Sequence, residues 1–198
     1  WSDAMSHKPV NDEIDIKKQT KIVPGHADFT GALKYMHHDV RNVLERASAR
    51  ETAARVAAAS LGRIFLNELG VVVNSRVISN GDVTDETNYS EVDWNFVEDS
   101  EVRASNIKLE TKYKNAIDSA KKNKTTIGGI IQIVAFNIPV GLGSHIQWDR
   151  KIDGQIAQAM MSINAVKGVE IGNGFSNSHK KGHDVHDVIV PDMNNLKN

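Results

Sequence analysis

Three observations predict an α+β fold for this 198-residue chain. Glu51 to Leu69 is a long run rich in Ala, Leu and Arg that stops at Gly70. Two β-branched runs, Val71 to Ile78 and Ile127 to Ile138, flank a second helical segment. Strands and helices alternate irregularly, without the regular β-α-β cadence of a doubly wound parallel sheet.

The elements follow in chain order. Residues 1–24 are polar and read as an extended lead-in. Leu33, Met36, Val40 and Leu44 recur at helical spacing, so 29–46 reads as helix in part and loop in part. Glu51 lies in the first turn of the helix that Gly70 ends. Val71 to Ile78 reads as a strand closed by Asn80-Gly81. Residues 82–104 are acidic and read as loop with a short strand, anchored by Trp94 and Phe96. A helix is expected over 106–122, with Ile107, Tyr113 and Ile117 inward and lysines outward. Ile130 to Phe136 is almost wholly apolar and predicts a strand buried on both faces. Pro139 ends it, and Gly141-Leu142-Gly143 turns the chain. Asp153 is the expected cap of a helix through Ile163, with Ile156, Met160 and Ile163 on its apolar face. Val166 to Ile171 reads as a last strand, ended by Gly172-Asn173-Gly174. From Ser176 the chain is polar and His-rich and reads as a mobile tail over 176–198.

Composition narrows the function classes. A net charge of −1 gives no bulk electrostatic case for nucleic acid or an anionic membrane. No apolar run approaches the roughly 20 residues of a membrane span. Cysteine is absent, which excludes disulfides, thiolate metal sites and a cysteine nucleophile and fits a cytoplasmic setting. His37-His38 and His179, His183 and His186 have spacings that invite a metal. Gly182 and polar flanks favour a solvated loop instead, and no metal is expected. Gly141-x-Gly143 lacks the third glycine of a dinucleotide fingerprint.

Two segments carry candidate chemistry. In Pro24-Gly25-His26-Ala27-Asp28, glycine permits close backbone approach and His26 can move a proton near neutral pH. In Glu45-Arg46-Ala47-Ser48-Ala49-Arg50-Glu51-Thr52, arginines and a hydroxyl at a helix start suit phosphate or another anion. Each has a plain counterpart. His26 could be an exposed loop residue, the arginines could pair with Glu45 and Glu51, and Asn164-Ala165 could be a helix terminus.

These two segments, with Gly141-Leu142-Gly143 and Ser162-Ile163-Asn164-Ala165-Val166-Lys167-Gly168-Val169-Glu170-Ile171-Gly172, resemble chorismate synthase in order and separation. The resemblance runs over essentially the whole chain but covers only the central portion of the family's length. The family's Gly-Glu-Ser-His-Gly motif, with a second catalytic histidine, is not among the 198 residues. Neither is its C-terminal region, with further flavin contacts and a catalytic aspartate. Val23 stands where the family usually has Arg.

The resemblance implies a β-α-β sandwich, here incomplete, with 1–198 as the central part of one domain. It implies a 1,4-elimination of phosphate from 5-enolpyruvylshikimate 3-phosphate to give chorismate, using reduced FMN. NADPH enters only as a source of electrons for the flavin. His26 is implied as general acid. Arg46, Ala47, Ser48, Asn164 and Ala165 are implied as FMN contacts. A homotetramer is implied as well. The alternative is a non-catalytic FMN-binding or assembly fragment of that enzyme.

Overall fold

A computed structural model describes residues 19–188. They fall into two compact units, one from the described parts of Trp1–Val56 and Gly143–Asn198, the other from Ala57–Leu142. The expectations for 1–18 and 189–198 lie outside the described residues.

The expected helix over 29–46 is two helices, α1 (Asp28–Tyr35) and α2 (Arg41–Leu44). Met36 separates them in the left-handed region, at φ 55°. Asp39 pins the connection. Its carboxylate accepts from the Gln19 and Arg41 backbone N–H groups, at 3.1 Å each, and from the Arg41 guanidinium. The Arg41 hydrogen bond holds the Asp39 carboxyl well below the usual carboxylate range.

Helix α3 (Ala49–Glu68) ends as the sequence predicts. Gly70 adopts φ +77°, its N–H bonds the Asn67 carbonyl, and the Val71 N–H bonds the Leu66 carbonyl. This is a Schellman stop, and the Val71 that follows it is buried.

The sheet is three-stranded and antiparallel, in the order β2-β1-β3. It comprises β1 (Val72–Asn80), β2 (Val83–Thr84) and β3 (Gly129–Phe136). Ile78 is the extra residue of a bulge, between the pairs Val77–Ile131 and Ser79–Ile130. Helix α5 (Ile107–Lys122) starts at Asn106, whose side chain accepts from the Leu109 N–H. It buries Tyr113, whose hydroxyl donates to the Val77 carbonyl at 3.3 Å. Ile107, expected inward, is exposed because it sits in the first turn.

The expectation that β3 is buried on both faces is not met. Gln132, Val134 and Phe136 are half-buried, while Ile131, Ile133 and Ala135 are exposed. Loop 85–94 covers one face, where Phe136 meets Tyr89 and an edge-on Trp94. Arg76 is buried there too, bonded to Asp85, Gln132 and the Thr87 carbonyl. No layer within this unit covers the Ile131–Ile133 face. The acidic stretch holds more structure than expected. Asp93 caps α4 (Trp94–Asp99) by accepting from the Asn95 and Phe96 N–H groups.

In the other unit, α6 (Ile152–Met161) is preceded by Lys151, so Asp153 lies inside the first turn rather than at the cap. Its carboxylate accepts from the Gly154 N–H at 2.8 Å, and that bond lowers its pKa. Ile156 is exposed. The strand expected over 166–171 does not form: a strand needs a ladder partner, and none pairs with it among the described residues. Two 3-10 turns, Gly174–His179 and Gly182–Asp184, follow. The architecture is α+β, with one small sheet among the described residues.

Candidate functional site

Every candidate residue lies in the first of the two units. Pro24-Gly25 occupies the centre of a tight turn. The His26 N–H bonds the Val23 carbonyl at 3.1 Å, and Gly25 sits at φ +77°. Pro at the second position and a positive-φ glycine at the third are the requirements of a type II turn. Asp28, the first residue of α1, locks this turn to the helix. One carboxylate oxygen accepts from the Val23 N–H at 2.7 Å, the other from the Phe29 N–H at 2.9 Å. Asp28 is fully buried. The His26 side chain is 24% exposed, and its Nδ1 lies 3.9 Å from Asp28 Oδ1.

The second group forms around the start of α3. The Ser48 hydroxyl accepts from the Arg50 N–H at 3.2 Å and donates to the Glu45 carbonyl at 3.0 Å. Ser48 is therefore the N-cap of α3, where free N–H groups and the helix dipole favour an anion. Arg50 pairs with Glu45 at 2.7 Å. Arg46 pairs with Glu51, and its side chain remains 78% exposed. Glu51 also holds Arg55, at 3.4 Å.

The third group is the loop after α6. Asn164 Nδ2 donates to the Ser48 carbonyl at 3.0 Å, across 116 positions of sequence. The Arg55 guanidinium donates to the Ser162 hydroxyl at 2.9 Å. Ala165 takes a left-handed φ of +71°, where a β-branched residue would be strained. The structure thus brings Ser48 to Asn164, with Arg46 and Ala47 preceding the one and Ala165 following the other in sequence. Among the described residues no hydrogen bond or ion pair joins His26 to them.

The sequence names Glu51 as a partner of the arginines, and it pairs with Arg46; three further residues that organise these groups were missed: Asp28, Arg55 and Ser162. Glu51 and Arg55 are readable as an i,i+4 pair. The Arg55–Ser162 bond has no local signal. Among the described residues no group of three or more metal-type side chains is suited to an ion.

The residues present suit an anionic group such as a phosphate. Arg46 offers an exposed guanidinium, Ser48 a hydroxyl at a helix start, and Asn164 an amide. Alanines at 47 and 165 leave the backbone open to close approach.

A family model described as chorismate synthase matches residues 5–198. A chorismate synthase of Geobacillus sp. (strain WCH70) is 46% identical over 194 residues, covering 96% of this chain and 50% of that protein. A chorismate synthase of Staphylococcus haemolyticus (strain JCSC1435) is 44% identical over 196 residues, covering 97% and 50%. A solved structure titled as a crystal structure of chorismate synthase is 46% identical at a TM-score of 0.77, covering 83% of this chain and 52% of that one. The chain spans about half the length of the curated relatives it matches.

Proposed function

The chain belongs to the chorismate synthase family, and from that premise we propose that it carries the central part of an enzyme converting 5-enolpyruvylshikimate 3-phosphate to chorismate by 1,4-elimination of phosphate. The observation that supports this most is the Asn164–Ser48 hydrogen bond at 3.0 Å. It unites the two segments that the family resemblance marks for flavin.

Reduced FMN is the cofactor of this reading, and it would supply electron density to the substrate and recover it. Arg46 would donate hydrogen bonds to phosphate oxygens, and the Ser48 hydroxyl would do so by giving up its bond to the Glu45 carbonyl. The Asn164 amide, bonded through Nδ2 to Ser48, keeps its oxygen as an acceptor that would take a flavin N–H. Ala47 and Ala165 admit the ring. His26 holds and delivers a proton as general acid, a role commonly worth ~100- to 10,000-fold in rate. NADPH belongs to this reading only as a reductant of the flavin. The same reading makes the chain part of a cytoplasmic homotetramer. Exposed Leu61, Ile64, Phe65, Ile131 and Ile133 support assembly. No helix among the described residues is long and apolar enough to cross a membrane.

The deciding assay is anaerobic chorismate formation from the intact gene product with reduced FMN and 5-enolpyruvylshikimate 3-phosphate. Chorismate from wild type and its loss in His26→Ala are expected. No chorismate from the intact protein would end the enzymatic reading. The exposed apolar side chains also suit a second reading, a non-catalytic FMN-binding or assembly fragment of that enzyme. It predicts that the 198-residue chain binds FMN without turnover.

A further inference from the structure

His26 and Asp28 each carry a buried polar group that the turn leaves unfinished. His26 Nδ1 is buried and has no hydrogen-bond partner among the described residues. Asp28 is fully buried, and each carboxylate oxygen accepts one backbone N–H. A carboxylate offers about four acceptor positions, so one more donor can be received. A buried charge with no further compensation is costly. The two groups stand 3.9 Å apart, Nδ1 to Oδ1. Closing that gap to a normal hydrogen bond needs a movement of about 1 Å, and catalytic contacts of this kind commonly tighten when substrate binds.

We infer that Asp28 is the positioning residue of His26: its buried carboxylate receives the Nδ1–H of the imidazole and leaves Nε2 as the nitrogen that delivers the proton. The backbone fixes both partners. The Val23 N–H on Asp28 Oδ2 and the His26 N–H on the Val23 carbonyl set the ring's attachment point against the carboxylate. Gly25 makes the turn possible, and the first turn of α1 sets where Asp28 stands. The carboxylate selects the tautomer and stabilises the ring when it is doubly protonated, and takes no proton itself. The catalytic consequence rests on the reading of His26 as general acid; the tautomer does not.

The test is nitrogen-15 NMR of the histidine-labelled chain, at a pH where the ring is neutral. His26 is assigned by the signal lost in His26→Ala. The expected result is the Nδ1–H tautomer in wild type and the Nε2–H tautomer in Asp28→Ala. Nε2–H in wild type would overturn the inference, as would an Nδ1–H that persists in folded Asp28→Ala. Should Asp28→Ala fail to fold, the wild-type tautomer alone decides. In the intact gene product, Asp28→Asn is expected to lower kcat by ~10-fold or more with KM little changed, because it removes charge and keeps shape. Full chorismate formation by His26→Ala would defeat the general-acid reading while leaving the tautomer result standing, so the two failures are distinguishable.

Discussion

Replacing Asn164 with Ala tests whether the two segments proposed to contact flavin are held as one site before any ligand arrives. Asn164 Nδ2 donates to the Ser48 carbonyl at 3.0 Å, and both residues are half-buried. Water can therefore reclaim the Ser48 carbonyl after the change. The loss is the net value of one hydrogen bond, ~0.5–1.5 kcal/mol, rather than the full cost of a stranded polar group. At 1.4 kcal/mol per tenfold, the two loops separate ~2- to 13-fold more often. The direct assay is hydrogen exchange without flavin, where amides at the start of α3 should exchange faster by about that factor. A fluorescence titration should then show FMN binding weakened at least as much. Asn164→Asp is expected to be worse, since it sets a carboxylate oxygen against a carbonyl. The reasoning is refuted if exchange near Ser48 is unchanged in Asn164→Ala, or if Asn164→Asp binds FMN as wild type does.

Other outcomes follow from the same geometry. Arg76 and Asp85 are a buried pair at 3.0 Å, so removing either alone should destabilise the sheet-containing unit by ~3–5 kcal/mol in urea melts, while Arg76→Met with Asp85→Leu should recover most of that loss. Burial pushes the Asp85 carboxyl up, but bonds from Thr87 and Ser105 and the Arg76 charge outweigh it and lower its pKa below 3.8. Its stabilisation is therefore present above pH 3.8 and lost as pH falls through the lowered value, so the gap between wild type and Asp85→Asn in acid denaturation should shrink only below that pH. Val23 is 44% exposed and its backbone N–H and carbonyl are both bonded, so Val23→Arg should leave the melting temperature unchanged and tighten phosphate-substrate binding in calorimetry. Ile131→Lys with Ile133→Lys, on the open face of β3, should reduce self-association in sedimentation velocity without loss of the circular dichroism spectrum.

Where local chemistry decides the structure, the sequence carried it. Gly70 announced the end of α3 and Asn80-Gly81 the turn after β1, because each acts on backbone groups within a few residues. The errors arise where distant chain decides. Ile130 to Phe136 has the composition of a doubly buried strand, yet burial depends on what lies against each face, and one face of β3 meets nothing within its unit. Val166 to Ile171 has strand composition and no ladder partner among the described residues. Asp93 was hidden in an acidic stretch, although its side chain caps α4 like any other N-cap.

The candidate site divides along the same line. His26, Arg46 and Ser48 stand out because residue type and neighbours suggest chemistry: a titratable ring after glycine, an arginine and a hydroxyl at a helix start. The residues that hold them do not. Asp28 looks like an ordinary acidic residue in a first turn until its carboxylate is seen to close on Val23 and to face His26 Nδ1. Arg55 and Ser162 are 107 positions apart, and Ser48 and Asn164 are 116 apart. Pairs so distant leave no periodicity to read. A side chain that touches ligand must have a particular chemistry, whereas one that positions it needs only a hydrogen-bonding atom in the right place. The first requirement shows in sequence and the second only in coordinates: what Asp28 holds is set by the turn around it.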